Sequence, residues 1–562
     1  MTMQRTPLLI SRLLDRGAWI APETEIVTLT SCGTHRQTYA DAAGRAAALA
    51  NGLRDLRIEM GDRVATFMWN GWRHLEIYQA VPSMGAVLHT LNIRLAADDL
   101  RYIINHAADR VVFVDADLAP LLERIADDLP SVEHWVVCGE PGAEPWRSSL
   151  PNAIDYESFL DGFGKTVAWP EFDENAPLGL CYTSGTTGHP KGVMYTHRST
   201  YLHTMCMAMT DVMTLSGADC ALAIVPMFHA MAWGLPYTAM MLGAKQVMPH
   251  RFMTPDKLLE LIVSESVTVA AGVPTVWQDA RALLEAEPDR YDLSNLDRVG
   301  CGGSAPPLSL IRWFWERYRI EMIQGWGMTE MNPLGTVSRR VSKYAHRELD
   351  EEEQFANLGK AGLLSPGLEM EIVDEEFRPL PHDGRSIGEV IVRGPWVCSE
   401  YYRDPQPDRF HDGWLVTGDV AAIDEERYLI IADRSKDLVK SGGEWISSVD
   451  LENHIVALEG VALAAVVAQP HPRWDERPVA LVVLAPGAKV SEADVRRHCT
   501  VRFARWQVPD DVLVRDALPL TTTGKIDKKA LRAGLAAEGY VLPELRAVPG
   551  EPDAPAGPAS SA

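Results

Sequence analysis

Helical and extended patterns of apolar residues alternate along the first 140 positions of the chain. Thr38-Tyr-Ala-Asp41 is typical of a capping box, and apolar residues recur after it at helical spacing. Continuous apolar runs separated by helical segments predict βαβ units and a largely parallel sheet. The predicted strands are 63–69, 86–91 and 110–115, and the predicted helices between them are 72–84 and about 97–107.

The central part of the chain contains a long uncharged stretch. Between Cys220 and Lys245 there is no Asp, Glu, Lys or Arg, and such a length could span a bilayer. Two prolines, a histidine and a glycine interrupt the stretch, and no basic cluster flanks it. We therefore interpret it as a buried strand, a functional loop at 226–233 and a buried helix. Residues 267–272 and 298–301 predict further strands that lead into glycine-rich turns.

The pattern changes in the second half of the chain. The acidic run 348–353 predicts a solvated loop. Short strands and turns from about Gly388 indicate a β-rich subdomain, and a separate small α/β unit follows Arg434. Its predicted elements are strands near 461–468 and 479–485 and a helix opened by Ser491-x-x-Asp494. The Pro/Ala/Gly/Ser-rich end, from about Ala547, predicts disorder.

Length and charge narrow the classes of function. The 562 residues suffice for two or three domains with large cores. A net charge of −24 argues against nucleic acid or an anionic membrane as a partner, so an anionic substrate needs locally concentrated positive charge. Eight scattered cysteines without metal-binding spacing are typical of a reducing compartment. The apolar run between Arg5 and Arg12 is too short for a signal peptide, and we expect a cytoplasmic location.

The strongest chemical signal is the segment Tyr182-Thr-Ser-Gly-Thr-Thr-Gly-His-Pro-Lys-Gly192. It combines five hydroxyls, three glycines and one lysine in eleven residues. Glycines let backbone N–H groups approach an anion, hydroxyls add donors and the lysine adds charge, so the segment indicates a phosphate-binding loop. Its spacing differs from G-x-x-x-x-G-K-[ST], which excludes the ordinary P-loop. The alternative is a flexible polar surface loop.

Four further segments combine turn residues with isolated polar groups. Gln324-Gly-Trp-Gly-Met-Thr-Glu330 could place an aromatic plane, a hydroxyl and a carboxylate around one ligand, and a carboxylate near phosphates suits Mg²⁺. Thr417-Gly-Asp419 suits the two hydroxyls of a ribose. Residues 433–445 carry three cations and a Gly-Gly turn at the presumed domain boundary. Residues 519–525 form a second loop of hydroxyls, glycine and lysine.

Each of these segments taken alone has an ordinary structural explanation. Thr-Gly-Asp is often only a turn, a Gly-Gly pair often only reverses the chain, and Thr-Thr-Gly-Lys could cap a helix. His229 could be a core histidine and Trp233 a core aromatic residue. Only the combination of the segments, in this order, argues for function.

That combination resembles the adenylate-forming superfamily of acyl-CoA synthetases, non-ribosomal peptide adenylation domains and beetle luciferases, from about residue 30 to 535. Segments 225–233, 272–277 and 440–452 resemble the fatty acyl-CoA synthetases in particular. The resemblance implies an α/β fold, with a large N-terminal domain of βαβ-type sheets plus a small β-rich subdomain, followed by a small mobile α+β C-terminal domain. The implied boundaries are 1–433 for the large domain (β-rich subdomain about 355–433), 434–440 for a hinge linker, 441–546 for the small domain and 547–562 for a disordered tail.

The resemblance also implies a reaction. In this superfamily a carboxylate attacks the α-phosphate of ATP, pyrophosphate leaves, and an acyl-adenylate remains. The small domain then rotates, and the thiol of coenzyme A displaces AMP. The implied function is thus an AMP-forming fatty acid–CoA ligase, with ATP and CoA as co-substrates and Mg²⁺ as cofactor. The implied catalytic residues are Lys525, His229 and Glu330, and the Lys525 cation would counter negative charge developing at the α-phosphate and carboxylate.

The implied binding residues group by the part of the ligand that they would contact. Thr183 and Glu330 would lie around Mg²⁺, Lys436 would be the hinge, and Gly443 would line the CoA channel. The implied nucleotide-binding residues are Thr183, Ser184, Gly185, Thr186, Thr187, Gly188 and Lys191 for the β- and γ-phosphates; Gly303, Gln324, Gly325, Trp326 and Thr329 for the adenine and α-phosphate; Asp419 and Arg434 for the ribose; and Lys440 and Trp445 from the linker side.

The choice of acid is less well defined. His229 occupies the position at which amino-acid-activating relatives carry an Asp, which disfavours an amino-acid substrate. The Met/Ala/Trp/Leu-rich run 230–242 indicates an apolar acyl pocket, and the resemblance implies that Trp233 gates it when ATP binds. Each buried methylene is worth about 0.8 kcal/mol, which favours a medium- or long-chain fatty acid over acetate. Short thioether acids and aryl acids stay open as alternatives.

Other functions remain as competing hypotheses. An acyl-AMP ligase that serves a carrier protein would carry an extra insertion in the large domain, which is not apparent here. A non-catalytic nucleotide-binding regulator is disfavoured by the intact Lys191, Glu330 and Lys525. A serine hydrolase is disfavoured because Gly302-Gly-Ser-Ala-Pro306 lacks the closing glycine of G-x-S-x-G. The resemblance further suggests a homodimer formed through the large domain.

Overall fold

The computed structural model describes residues 3–142, 146–183, 189–434, 437–441, 444–521 and 525–543, with the backbone alone for 434, 444 and 445. Some predicted site residues lie outside these ranges: Ser184, Gly185, Thr186, Thr187, Gly188, Lys436 and Gly443. The same is true of the predicted tail 547–562 and of the side chains of Arg434 and Trp445.

The chain divides into two compact units. The first comprises Met1–Ile431 with Thr522–Lys525, and the second comprises Ala432–Thr521 with Ile526–Ala562. The sequence-based boundaries at 433/434 and 440/441, and the mobility of the small domain, stay predictions.

Helices occur in both units. They are α1 (Ile10–Ile20), α2 (Tyr39–Asp55), α3 (Trp72–Ser83), α4 (Ala97–Ala107), α5 (Ala119–Glu123), α6 (Tyr156–Asp161), α7 (His197–Met207), α8 (Leu235–Leu242), α9 (Pro255–Ser264), α10 (Pro274–Ala286), α11 (Leu308–Tyr318), α12 (Glu351–Leu358), α13 (Ser448–Val456), α14 (Glu492–Arg502) and α15 (Lys528–Ala537).

The strands follow the chain in the same way. They are β1 (Glu25–Thr30), β2 (Gly33–Thr38), β3 (Arg63–Phe67), β4 (Val87–Thr90), β5 (Val111–Asp115), β6 (His134–Cys138), β7 (Ala153–Asp155), β8 (Pro177–Thr183), β9 (Lys191–Thr196), β10 (Cys220–Ala223), β11 (Lys245–Met248), β12 (Val269–Gly272), β13 (Arg298–Gly302), β14 (Glu321–Gly327), β15 (Leu334–Ser338), β16 (Leu363–Leu364), β17 (Glu369–Val373), β18 (Gly388–Arg393), β19 (Phe410–His411), β20 (Trp414–Ile423), β21 (Leu429–Arg434), β22 (Val439–Ser441), β23 (Glu444–Ile446), β24 (Val461–His471), β25 (Asp475–Leu484) and β26 (Asp511–Val514).

Two large sheets form the frame of the first unit. One has the order β16-β15-β14-β13-β12-β10-β11-β1-β2 and is parallel from β1 to β14. The other has the order β7-β6-β5-β3-β4-β8-β9 and is parallel except for the β8–β9 pair. One hydrophobic core combines residues of both, such as Leu88 and Leu178 from one sheet and Ala221 and Ile323 from the other. The predicted parallel sheet is present.

An antiparallel sheet, β17-β18-β20-β19 with β21 on β20, follows in the first unit. The second unit has its own sheet, β23-β22-β25-β24 with β26 on β25, and a separate core around Leu451, Val466 and Val482. The predicted β-rich segment and the predicted α+β character of the C-terminal part are therefore both observed.

Local capping signals explain several helix starts. Thr38 and Asp41 form a reciprocal capping box before α2, and Ser491 and Asp494 form one before α14, as predicted. The prediction of a solvated loop at 348–353 is wrong for residues 351–353, which form the first turn of α12, although the run is solvent-exposed as expected. Asp350 caps α12, and three glutamates fill the first turn of that helix, where the partial positive charge of the helix N-terminus favours them.

The uncharged stretch after Cys220 folds as predicted. It forms β10, a loop, a short turn at Ala230–Gly234 and the buried helix α8 before β11 begins at Lys245. In the part of the chain that the structure describes, no helix is long and apolar enough to cross a membrane.

Candidate active site

The candidate site lies at one edge of the nine-stranded sheet. Because β10, β12, β13 and β14 are parallel, their carboxyl ends meet at the same edge. His229 follows β10, Val273 follows β12, Gly303 follows β13, and Gln324 lies at the middle of β14. Ligands of open α/β sheets bind at such an edge. The topology therefore brings together residues that are almost 100 positions apart.

Lys525 belongs to the first unit and lies against Gly303. A Cβ atom added to Gly303 would be 3.1 Å from Cε of Lys525 and 3.8 Å from its Nζ, and 3.4 Å from Cγ1 of Val273. Gly303 also has a φ of +85°, a conformation that side chains rarely adopt. Because Gly303 has no side chain, the ammonium group of Lys525 has space next to the carboxyl end of β13.

His229 shares this environment. Burial lowers the pKa of His229 to about 3, and the positive charges of Lys525 and Arg94 act in the same direction. The imidazole is therefore uncharged at neutral pH and can offer one donor and one acceptor, but no positive charge. Arg94 is a residue that the sequence analysis did not select.

Trp233 projects from a left-handed turn onto the end of β13. A Cβ atom on Gly302 would lie 3.4 Å from Cη2 of Trp233, so the indole covers this glycine. Ala230, Met231, Ala232 and Trp233 all have positive φ angles, between 42° and 57°, and Gly234 continues the turn at 76°. A left-handed conformation costs a non-glycine residue roughly 1–2 kcal/mol. The backbone conformation that positions Trp233 is therefore unfavourable by itself, and the packing around the turn must stabilise it.

The predicted adenine and ribose residues lie along β14 and β20. Gln324 is buried, and its Oε1 has no hydrogen-bond partner among the described residues. Nε1 of Trp326 donates to Oδ2 of Asp419 at 2.9 Å, and Asp419 is buried as well. A hydrogen bond thus connects two of the predicted nucleotide-binding residues, Trp326 and Asp419. The buried amide oxygen of Gln324 is available to a polar ligand.

The predicted phosphate side lies at the β8–β9 hairpin. Thr183 pairs with Lys191 across the two strands, and the hydroxyl of Thr183 lies 3.5 Å from the carbonyl oxygen of Lys191. Thr329 and Glu330 form a short 3₁₀ turn after β14 and are both buried. The carbonyl of Thr329 accepts a hydrogen bond of 2.8 Å from the hydroxyl of Tyr195.

Tyr401 and Gln406 were missed by the sequence analysis. The hydroxyl of Tyr401 donates to Oε1 of Glu330 at 2.7 Å, and Nζ of Lys191 donates to Oε1 of Gln406 at 2.8 Å. The segment 399–406 is a polar turn without periodicity, so its only available signal was a pair of tyrosines between turn residues.

Lys440 and the backbones of Arg434 and Trp445 belong to the second unit, where Lys440 pairs with Trp445 between β22 and β23. The side chain of Lys440 is exposed. The predicted roles of these three residues stay predictions.

A two-sheet α/β unit, a β-rich segment and a small α+β unit are the parts expected of an adenylate-forming enzyme. Residues 19–402 match the AMP-binding enzyme family, and residues 450–525 match the AMP-binding enzyme C-terminal domain. The chain therefore belongs to the AMP-binding enzyme family.

Individual relatives match almost end to end. A 3-methylmercaptopropionyl-CoA ligase of Ruegeria lacuscaerulensis is 45% identical over 531 residues, which cover 94% of this chain and 98% of the relative. A long-chain-fatty-acid–CoA ligase of Thermus thermophilus is 45% identical over 536 residues, covering 94% and 96%. The solved structure of an anthranilate CoA ligase in complex with anthranoyl-AMP superimposes with a TM-score of 0.84 at 26% identity, covering 95% of this chain and 100% of that one.

These comparisons confirm the predicted superfamily, its fold class and the enzyme class of AMP-forming acid–CoA ligases. The individual site residues stay predictions.

Proposed function

We propose that this enzyme joins a medium- or long-chain fatty acid to coenzyme A through an acyl-adenylate. The observation that carries this proposal is the position of Lys525 against Gly303, at the sheet edge that also holds His229 and Gln324. An ammonium fixed there would counter the charge that develops when the carboxylate attacks the α-phosphate and pyrophosphate leaves. The uncharged His229 would bind the acid by hydrogen bonding without forming an ion pair with it.

The nucleotide would lie across the same edge. The buried Oε1 of Gln324 is suited to accept a hydrogen bond from the amino group of adenine, and Asp419 is suited to the ribose hydroxyls. Thr183 and Lys191, with the loop between them, would hold the β- and γ-phosphates. Backbone groups and hydroxyls of such loops bind phosphate oxygens, and the lysine adds charge.

We further propose Mg²⁺ as the cofactor, held by Glu330 and Thr183. The residues fit this ion: the carboxylate of Glu330 is buried and one of its oxygens is oriented by Tyr401. Among the described residues no group of three His, Cys, Asp or Glu could hold a metal, so phosphate oxygens and water would complete the shell, as is usual for Mg²⁺. Bound there, the ion would neutralise phosphate charge.

Separate assays of the two half-reactions test the assignment. Lys525→Ala should slow acyl-AMP formation, measured as ATP–pyrophosphate exchange, by about 10²–10³-fold and spare thioester formation from supplied acyl-AMP. Gly443→Leu should do the reverse, because a side chain in the proposed CoA channel would obstruct the thiol. Loss of the same half-reaction in both variants would refute the assignment.

The neighbours of Trp233 support a fatty acid as the substrate. Helix α8 and the turn before it are almost entirely buried and apolar, with Met231, Leu235 and Met240 in the core of the first unit. Trp233 would gate this region when ATP binds. Trp233→Ala should then make acyl binding independent of ATP; an unchanged dependence on ATP would refute the gate.

A short thioether acid is a second candidate, because one buried side chain nearby lacks partners. His203 on α7 is 1% exposed, and neither of its ring nitrogens has a hydrogen-bond partner among the described residues. Its ring lies against the turn of Trp233, since a Cβ on Gly234 would be 2.9 Å from Nδ1. Burial lowers its pKa to about 3. The N–H of this neutral imidazole is suited to donate to a thioether sulfur, a weak acceptor that the isosteric fatty acid lacks.

The decisive experiment is pyrophosphate release, with and without CoA, across straight-chain acids from acetate to palmitate, together with cinnamate. It should include the isosteric pair 3-methylmercaptopropionate and pentanoate. Turnover that requires CoA and rises with chain length supports the fatty acid. A preference for the thioether over pentanoate that His203→Leu removes supports the second candidate. No exchange with any acid would favour a non-catalytic nucleotide-binding protein.

The cytoplasm is the proposed location. The described cysteines are all free and most of them are buried, which suits a reducing compartment. A homodimer through the large domain is proposed from the resemblance alone, and sedimentation velocity would test it.

A further inference from the structure

Residues 401–406 contact both charged groups on the proposed phosphate side of the site. The segment follows β18 and precedes β19 in the first unit. Tyr401 reaches Glu330, and Gln406 reaches Lys191. Lys191 lies in β9 of the seven-stranded sheet, whereas Glu330 lies in the turn after β14 of the nine-stranded sheet, so no strand pairing holds them in register with each other.

The contact between Tyr401 and Glu330 is buried. The two residues are 4% and 6% exposed, and the hydroxyl of Tyr401 donates to Oε1 of Glu330 at 2.7 Å. The backbone N–H of Cys398 also donates to the carbonyl oxygen of Glu330 at 2.8 Å, so the backbone of Glu330 is fixed as well. One carboxylate oxygen therefore has a defined donor, and this donor sets the rotation of the carboxylate plane. Partners of this kind orient metal-ligating carboxylates.

The contact with Lys191 combines two interactions. Nζ of Lys191 donates to Oε1 of Gln406 at 2.8 Å and lies 5.2 Å from the centre of the Tyr401 ring. Nε2 of Gln406 in turn donates to Oδ1 of Asp404 at 2.9 Å, which fixes the orientation of the amide and presents its oxygen to the lysine. The ammonium thus has a polar partner on one side and an aromatic face on another.

The segment is itself attached to the hairpin that carries Lys191. The backbone N–H of Tyr402 donates to the carbonyl oxygen of Gly192 at 2.8 Å. Tyr401 therefore lies at a fixed place relative to β9, and its hydroxyl and its ring act on groups of opposite charge. The geometry links the ammonium and the carboxylate through a single side chain.

We propose that Tyr401 and Gln406 are positioning residues for the adenylation step, fixing Glu330 for the metal and Lys191 for the phosphates of ATP. The inference rests on the proposed function of the site. Neither residue would contact the acid or CoA, so both would matter for the half-reaction that uses the triphosphate and not for the transfer of the acyl group from acyl-AMP to CoA.

Tyr401→Phe tests the carboxylate contact, because it removes the hydroxyl and keeps the ring. Loss of such a partner typically weakens metal affinity by about 10–100-fold. We expect the Mg²⁺ concentration for half-maximal ATP–pyrophosphate exchange to rise by at least about tenfold. Mn²⁺ binding to the enzyme–ATP complex, followed by electron paramagnetic resonance in the absence of acid, should weaken in parallel and does not depend on turnover.

Gln406→Leu tests the lysine contact. The substitution removes a hydrogen bond to a charged group, and such bonds contribute more binding free energy than neutral ones. KM for ATP should therefore rise by about tenfold, with little change in the Mn²⁺ affinity. Gln406→Glu keeps an acceptor but adds a negative charge beside Lys191 and Asp404, so it should raise KM for ATP at least as much as Gln406→Leu. Tyr402→Phe is the matched control, and it should leave both the metal dependence and KM for ATP unchanged.

Thioester formation from supplied acyl-AMP separates positioning from general damage. It should be unaffected in all these variants. Equal loss of both half-reactions would mean that the segment only stabilises the fold, and an unchanged metal dependence and Mn²⁺ affinity in Tyr401→Phe would overturn the inference. Failure of the wild type to catalyse any exchange would instead refute the proposed function. If Tyr401→Phe does not fold, the Gln406 pair still decides whether the segment positions Lys191.

Discussion

Gly303→Ala is the most informative single perturbation of the proposed site. The added methyl group would lie 3.1 Å from Cε of Lys525, closer than nine in ten real contacts of a Cβ atom, so the end of the lysine must move by a few tenths of an ångström. A misplacement of about 1 Å at a reacting centre can cost about 10²-fold in rate. We therefore expect a loss of about tenfold in acyl-AMP formation, equivalent to about 1.4 kcal/mol of activation free energy.

The same substitution also strains the backbone. At a φ of +85° an alanine is unfavourable by roughly 1–2 kcal/mol, which would lower the melting temperature whatever happens to the lysine. Gly413→Ala is a matched control: its φ is +80°, and a Cβ there would have no neighbour within 4 Å. It should lower stability by a similar amount and leave the rate unchanged.

The assay is a double-mutant cycle on ATP–pyrophosphate exchange. Lys525→Ala alone should cost about 10²–10³-fold. If Gly303→Ala acts by displacing Lys525, it should cost nothing further in the Lys525→Ala background, giving a coupling free energy of about 1.4 kcal/mol. An equal loss in both backgrounds would refute the reasoning and would show that the methyl group acts on the nucleotide directly.

Three further predictions concern other parts of the chain. Gln324→Leu should raise KM for ATP by about three- to tenfold and abolish the preference for ATP over inosine triphosphate, because a neutral hydrogen bond is lost; an unchanged preference would refute the proposed adenine contact. Burial lowers the pKa of His74 to about 4, whereas the unfolded chain binds a proton at about 6.5, so the stability contributed by His74 is present above pH 6.5 and is lost as the pH falls towards 4. Urea midpoints at pH 7.5 and 5.0 should differ less in His74→Gln than in the wild type, and an equal difference would contradict the assignment. Asp350→Ala should lower the free energy of unfolding by about 1 kcal/mol and speed hydrogen exchange across α12, while the rates of the enzymatic reaction stay unchanged.

Local signals in the sequence predicted local structure well. The capping boxes at Thr38 and Ser491 involve residues three positions apart, so they are visible without any tertiary information. The acidic run was misinterpreted because the same residues suit a solvated loop and the first turn of a helix. What decides between them is packing: α12 buries Phe355 and Leu358, and Arg312 of α11 pairs with Glu352.

The candidate site was only partly visible for a related reason. Gly303 and Lys525 lie in short segments rich in glycine and hydroxyl residues. Such segments are recognisable because binding a phosphate requires particular residue types close together in the sequence. Tyr401 and Gln406 act through contacts that span 71 and 215 residues. Their local sequence carries no pattern that could distinguish them from an ordinary polar turn.

The left-handed turn at Ala230–Trp233 has a consequence for engineering. Four non-glycine residues in this conformation together store roughly 4–8 kcal/mol that a right-handed alternative would release. Glycine at Ala230 or Ala232 would relieve part of this strain, but the lost buried methyl group and the greater freedom of glycine in the unfolded chain would offset much of the gain. A relaxed turn would also hold the indole of Trp233 less firmly at one place. Strain in this turn is therefore the cost of holding Trp233 where the proposed gate needs it, and selection for thermal stability alone would act against that gate.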